Sequence, residues 1–329
     1  MHRSRPAPPS PPAPSAYPRR LLGVDLGGTA AKAGVLELAR DGRARILARS
    51  RAAHAGADPA SAVTRAAADA LSRAGVRVPD GAGFACAAWL DPATGRARAS
   101  PHLPSLVGIR PAALLTPVLE AAGAAGHGLV PVALNDADAA ALAESRLGAA
   151  RPAPGDLPGA PTLFVALGTG VGGAVIVDGA VLPGARGMHG EAGHICVDPD
   201  GPACPCGARG CWELYASASA LARTLPGRPI ADVLEAAVAG PGPERDAVLD
   251  AGEWLGRGLA PAVCLLDPVR VVVGGGLMAA GELLLPTARA ALRRALPTAA
   301  ADRPPELVAA ALGNDAGWIG AALADGARV

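Results

Sequence analysis

LLGVDLGGTAAKAGVLELA, residues 21–39, reads as an apolar strand, a glycine turn and a second strand. A third strand follows at 44–51. Asp58-Pro59 then opens a helix, with Asp as N-cap and Pro in the first turn, and Gly75 closes it. GFACAA (83–88) is a short buried strand, 111–123 a helix and 129–135 a strand, and Asp136 begins a helix that ends at Gly148. After a Pro- and Gly-rich loop at 151–161, the opening pattern returns: TLFVALG and GGAVIVDG (162–179) are again two strands joined through glycines. A glycine- and cysteine-rich excursion (183–211) leads to helices across 217–268, the strand RVVVGGG, the helix PTARAALRRAL, the strand ELVAAALG and a closing helix, DAGWIGAALAD. Strands lead each half and then alternate with helices. That order predicts an α/β protein with two similar lobes and a cleft between them.

The length of 329 residues suits two domains of about 100–200 residues each. Half the residues are hydrophobic but only 2% are aromatic, so Ala, Val and Leu must fill the core. A net charge of +1 provides no field for gathering nucleic acid or an anionic membrane. No apolar run is long enough to span a bilayer. Residues 1–20 carry charge and proline without an apolar stretch, which predicts a disordered tail rather than a signal peptide, and hence a cytoplasmic protein. In that compartment the six cysteines are reduced, and a tight cysteine cluster points to metal before disulfides.

Three glycine loops follow strands: Gly27-Gly28-Thr29, Gly168-Thr169-Gly170-Val171-Gly172-Gly173 and Gly274-Gly275-Gly276. Glycine lets backbone N–H groups approach phosphate oxygens and permits positive φ. The second loop matches G-x-G-x-x-G, yet a strand rather than a helix follows, which rules out a dinucleotide fingerprint; no Walker A loop is present. Two hairpin turns that can clamp a nucleotide phosphate chain from opposite lobes remain, and the third loop, with Gly275 and Gly276, either borders the purine or serves helix–sheet packing. Asp25, just before the first turn, is placed to hold Mg²⁺ through water. Lys32, the single lysine of the chain, lies on the strand after that turn and is a candidate phosphate contact.

GEAGHICVDPDGPACPCGARGCWE (190–213) is the most specific stretch. His194, Cys204, Cys206 and Cys211 offer three thiolates and an imidazole, a closed tetrahedral set suited to structural zinc. Glu191 and Glu213 bracket the cluster and are better used as acceptors for neutral hydroxyls. His194 can give one ring nitrogen to zinc and the other to a sugar oxygen. Cys86, Cys196 and Cys264 have apolar neighbours and read as core. Asn135-Asp136 falls where a strand meets a helix. Asp136 there is either an N-cap or, at a strand end facing a cleft, a base for an alcohol nucleophile.

DLGGT, NDADAAA, LGTGVGG, GEAGH, CPCGARGCWE, VVVGGG and LGNDAGWIGAA together closely resemble the ROK family (repressors, open-reading-frame proteins and sugar kinases), from about Leu21 to the C-terminus. The resemblance implies a two-lobed, actin-like ATPase fold of ribonuclease H-like type: mixed sheets with flanking helices around a central cleft. It implies a small lobe at 21–139, to which 312–329 return, and a large lobe at 140–311 bearing the zinc loop. ATP, Mg²⁺ and zinc are implied, with Asp136 taking the proton of a hexose 6-hydroxyl and Asn135, Glu191, His194 and Glu213 binding other hydroxyls. A homodimer or homotetramer is implied as well. Glucose leads the implied substrates, ahead of N-acetylglucosamine, N-acetylmannosamine, fructose and allose. Four positions depart from the family pattern: Ala30 stands where lysine is common, Asp138 where N-D-A-N has asparagine, Ala87-Ala88-Trp89 in the sugar loop, and His102 for an asparagine. The family also contains sugar-sensing regulators. Those carry a winged helix-turn-helix, for which the stretch before Leu21 is too short, so a kinase is expected over a regulator or a non-catalytic sugar binder.

Overall fold

The computed structural model describes residues 18–54, 58–101, 103–124 and 129–324. Two five-stranded sheets form its frame. In the first, β1 (Arg19–Leu26), β2 (Ala30–Leu38) and β3 (Ala44–Ala53) make an antiparallel meander. β4 (Gly81–Cys86) adds in parallel to β1. A small separate hairpin, β5 (Trp89–Leu90) with β6 (Ala97–Ala99), follows. β7 (Val132–Asn135) then completes the sheet beside β4, giving the order β3-β2-β1-β4-β7. The second sheet repeats the plan. β8 (Thr162–Leu167), β9 (Val171–Val177) and β10 (Ala180–Val181) are antiparallel, and β11 (Arg270–Gly274) and β12 (Glu306–Ala309) extend it in parallel, in the order β10-β9-β8-β11-β12.

β1 is apolar on both faces because both are covered. Leu22, Val24 and Leu26 alternate toward α1 (Pro59–Ala74), whose Ala62, Val63, Ala66, Ala67 and Ala70 form its buried stripe. The Asp58 side chain accepts the Ala60 N–H at the start of α1, and Gly75 ends it at φ 64°, so the sequence signals at both ends hold. The segment 111–123, expected as one helix, is a 3₁₀ turn, Pro111–Leu115, followed by α2 (Thr116–Ala121). Pro117 lacks the N–H that a continuous helix would need at that step.

α3 (Asp136–Leu147) follows β7 directly, and α4 (Ala218–Thr224), α5 (Ile230–Ala239), α6 (Pro243–Leu266), α7 (Gly281–Ala295) and α8 (Thr298–Ala301) belong to the second half. The largest core cluster joins α5, α6 and α7 to β8 and β11, with Trp212 fully buried and its indole N–H donated to the Trp254 carbonyl of α6. α9 (Ala316–Leu323) lies against β1 and β4 on the face opposite α1: Trp318, Ile319 and Ala322 cluster with Leu21 and Leu36. Gly23 and Gly83, register partners in β1 and β4, make this approach possible. A Cβ at either would stand within 2 Å of a carbonyl oxygen of α9, Trp318 O at 1.8 Å and Ala321 O at 1.9 Å.

α3 packs on the second sheet through Ala139, Ala141 and Leu142, with Phe164, Ala174 and Val272 in the same cluster, and on α9 through Ala139 and Gly320. A lobe division between 139 and 140 therefore falls inside one continuous helix. The fully buried Glu144 carboxylate accepts the N–H groups of Ala149, Ala311 and Leu312, tying the end of α3 to the chain that leads into α9. Of the proline-rich tail, residues 1–17 lie outside the described residues, as do His102 and 325–329. Arg19 and Arg20 belong to β1, where the Arg20 N–H donates to Asp80 Oδ2 at 2.7 Å. Among the described residues no helix is long and apolar enough to cross a membrane.

Candidate active site

The parallel strands of the first sheet end in register. Leu26 lies beside Cys86 and Cys86 beside Asn135, so the Asp25 end of β1 and the head of α3 open on the same sheet edge. Ligands of open α/β sheets bind at such carboxyl ends. Asn135, not Asp136, is the N-cap of α3. Its Oδ1 accepts from Ala137 N (2.8 Å) and Asp138 N (3.4 Å), and its Nδ2 donates to the Ala88 carbonyl at 3.3 Å. With the cap supplied by its neighbour, Asp136 is the first helical residue and is solvent-exposed, accepting the Ala137 N–H through Oδ1 at 2.9 Å.

Asp136 is the common neighbour of the other acids. Burial pushes Asp25 up to about 6. The Lys32 ammonium, whose Nζ lies 3.9 Å from Asp25 Oδ2, opposes the rise, and the charge of Asp136 adds to it. Glu191 is pushed up to about 7, first by burial and then by Asp136, with Trp89 opposing. A divalent cation beside Asp25 would relieve a carboxylate that burial and Asp136 both disfavour, so the site suits Mg²⁺. Lys32 pairs with Asp25 across β1 and β2 and also donates to the Asn314 carbonyl at 3.4 Å. Its ammonium is thus drawn to Asp25 and the chain before α9.

The glycine turns differ from the expectation of positive φ. Among the loop glycines named, only Gly275 has it (φ 92°), and a Cβ there would lie 2.4 Å from the Leu167 carbonyl, which packs the third loop on the end of β8. Gly173 serves packing too: a Cβ would stand 2.8 Å from the Gly190 carbonyl. A Cβ on Gly168 or Gly276 would meet nothing within 4 Å, and on Gly27 only the Ala30 carbonyl at 3.7 Å. Neither backbone conformation nor neighbouring atoms demand glycine at these three positions, whereas close passage of a phosphate chain would. Gly28, Thr29 and Thr169 are exposed at the turn tips, and a Cβ on Gly170 would crowd Glu213 Oε2 at 2.5 Å.

The Cys/His cluster assembles. The ligand atoms of His194, Cys204, Cys206 and Cys211 all lie within 4.8 Å of one another. His194 Nδ1 is 3.9 Å from Cys204 Sγ, so Nδ1 faces the thiols, while Nε2 lies 3.7 Å from Glu191 Oε2. Glu213 Oε1 is 3.6 Å from His194 Nδ1 and 3.4 Å from Cys204 Sγ. Three sulfurs and one imidazole nitrogen at these separations fit a tetrahedral zinc. Of the other cysteines only Cys86 is core; Cys196 and Cys264 are exposed. Local apolar composition misplaced them, since the burial of a thiol near a helix end or in a loop is set by distant packing.

Two contributors lack a sequence signal. His54 is buried beneath the first turn, its N–H donating to the Thr29 carbonyl (3.0 Å) and its Nε2 lying 2.9 Å from the Gly27 carbonyl. Trp89, flagged only as a departure in the sugar loop, sets its ring edge-on to His194 at 6.4 Å.

The sequence pattern of the ROK family matches residues 21–325. The chain belongs to the ROK family. Its two repeated sheets and flanking helices are the actin-like α/β fold of ROK proteins. A glucokinase of Streptomyces coelicolor is 32% identical over 328 residues, covering 92% of this chain and 96% of that protein. The structure of a ROK family glucokinase from Streptomyces griseus, in complex with glucose and AMPPNP, superposes with a TM-score of 0.74 at 33% identity, covering 94% of this chain and 99% of the other. An N-acetylmannosamine kinase of Citrobacter koseri is 37% identical over 201 residues, covering 60% of this chain and 65% of that protein.

Proposed function

We propose that this ROK protein transfers the γ-phosphoryl group of ATP to the 6-hydroxyl of a hexose, with glucose as the leading substrate. The observation that carries the reading is the head of α3: Asn135 does the capping, and Asp136 is exposed with its charge felt by both Asp25 and Glu191. Asp136 accepts the hydroxyl proton as the sugar oxygen bonds to the γ-phosphorus and the bond from that phosphorus to the β,γ-bridging oxygen breaks, releasing ADP. The transition state is loose, so positioning and charge stabilisation supply most of the acceleration. Backbone N–H groups of the Gly27–Thr29 and Gly168–Gly170 turns grip the phosphates, and Gly275 and Gly276 border the base. Asp25 would hold Mg²⁺, whose charge offsets that of the phosphates.

Glu191 and Glu213 accept hydrogen bonds from sugar hydroxyls, and His194 donates through the nitrogen turned toward Glu191. Asn135 serves mainly by fixing the Ala88 loop, with its second amide hydrogen left for a hydroxyl. His194, Cys204, Cys206 and Cys211 would hold a structural zinc that anchors the segment bearing both glutamates.

The similarity to an N-acetylmannosamine kinase supports a second reading, in which a 2-acetamido hexose is the substrate of the same site. An assay of ADP release with glucose, N-acetylglucosamine, N-acetylmannosamine, fructose and allose tests both. Release with glucose well above the others is expected. Hexose binding by calorimetry without ADP release from any sugar would overturn the kinase reading in favour of a sugar-binding protein.

A further inference from the structure

Asp138 is a buried carboxylate that the proposed chemistry leaves unused. It sits on the first turn of α3, two residues beyond Asp136, with 5% of its surface exposed. Its backbone N–H belongs to the Asn135 cap, and its side chain receives His189 Nε2 at 2.9 Å. His189 lies 51 residues away in sequence and two residues before Glu191. A buried carboxylate without a donor is costly, so this bond constrains both partners.

The Glu191 segment is gripped from a second side. Gly190 (φ 72°) presses on β9, where a Cβ would stand 2.1 Å from the Gly173 carbonyl. A Cβ on Gly193 would stand 2.1 Å from the Val171 carbonyl. β9 itself reaches the head of α3, a Cβ on Gly172 lying 3.1 Å from that of Ala137. Backbone packing therefore fixes the height of the Glu191 segment over β9. The Asp138–His189 bond ties the same segment to α3.

Resting on the kinase reading above, we propose that Asp138 and His189 form a positioning clasp that holds Glu191 at a fixed distance from the base Asp136 and thereby sets hexose affinity. Neither residue touches the reacting atoms. Opening the clasp misplaces an acceptor used equally in ground and transition states, which raises KM for the hexose and leaves kcat in place.

The test compares wild type, Asp138→Ala, Asp138→Asn and His189→Phe in steady-state kinetics. Asp138→Ala and His189→Phe should raise the hexose KM by roughly 5- to 100-fold, the range for one buried hydrogen bond, with kcat and the ATP KM little changed. Asp138→Asn should recover most of the affinity, because its Oδ1 still accepts from an Nε2–H. Hydrogen exchange over residues 189–194, read without sugar, separates the clasp from the kinase reading. Faster exchange in Asp138→Ala but not in Asp138→Asn supports the clasp even in a protein without turnover. Equal exchange in all forms, or an Asp138→Ala variant with the wild-type hexose KM, would overturn it.

Discussion

The two sheets share one strand order, yet their first turns are equipped differently. The turn after β1 has charged side chains behind it: Asp25 and Lys32 face each other across the hairpin, and His54, just past the end of β3, braces the tip. Among the described residues, the turn after β8 has no such pair. Gly170 meets Glu213, and Gly275 closes over Leu167, so this turn is tied to Glu213 and to the third glycine loop. A repeated topology supplied two similar backbone loops, and the side chains then divided the labour. On the proposed kinase reading, the first turn manages the charge of phosphate and cation, and the second couples the nucleotide site to the hexose site. The head of α3 lies between them, with the charge of Asp136 raising Asp25 on one side and Glu191 on the other.

The largest effect should come at that junction. Asp136→Asn is expected to lower kcat by about 10²–10⁴-fold while hexose affinity by calorimetry stays near wild type. A variant retaining most of its kcat would mean that Asp136 only serves the helix.

On the first-turn side the strongest handle is stability. Asp25 is about 6 in the folded protein against 3.8 for the free group. Between those values the folded state keeps a proton that the unfolded state has lost. Stability therefore falls as pH rises from about 4 to 6, and above 6 the full penalty of roughly 3 kcal/mol applies. Asp25→Asn should raise the unfolding midpoint at pH 7.5 without Mg²⁺ and do little at pH 4, while weakening Mg²⁺-dependent nucleotide binding. A midpoint gain of equal size at both pH values would show that the carboxylate charge is not the cause.

On the second-turn side the handle is the Cys/His cluster. Glu213→Ala should cost about 1–3 kcal/mol in hexose binding, and Cys206→Ser should lose metal and weaken hexose binding with it. Metal analysis should find about one zinc per chain. A metal-free preparation with an unchanged hexose KM would detach the cluster from the sugar site.

What the sequence disclosed follows the range of the forces involved. Strands showed as apolar runs closed by glycine, α1 as Asp58-Pro59 and Gly75, and the Cys/His cluster as three cysteines within eight positions. Each is a local pattern. The alternative of Asp136 as N-cap stayed open in the sequence because Asn135 and Asp136 are both good caps, and only the chain path assigns the cap to Asn135. His54 under Gly27, Trp89 beside His194 and His189 on Asp138 join residues 27 or more positions apart, where no periodicity operates. The exposed Cys196 and Cys264 are the converse case, apolar in sequence but left at the surface by the packing.

The smallest effect concerns Lys32, and it tests whether the first turn's charges act on phosphate or on each other. Its Nζ is 3.9 Å from Asp25 Oδ2 and 3.4 Å from the Asn314 carbonyl, and the side chain is 38% exposed. The lysine end is open to solvent and the 3.9 Å separation is long for an ion pair, so its removal is not expected to rival the loss of Asp136. Two consequences of Lys32→Ala oppose each other. Losing the ammonium removes a positive charge beside the phosphate turn, which weakens ATP. It also leaves Asp25 more available to a cation, which strengthens the bound metal. The net expectation is a rise in the ATP KM of no more than about fivefold, with the hexose KM unchanged. Lys32→Arg keeps the charge but spreads it over a planar fork, so it should recover the ATP KM only in part. Raising the salt concentration should shrink the difference between wild type and Lys32→Ala, because an exposed charge is screened within about 10 Å at 0.1 M. An ATP KM that does not move in Lys32→Ala would assign the phosphate grip of this lobe to the backbone of Gly27, Gly28 and Thr29, and the two turns would then differ only in how they are braced.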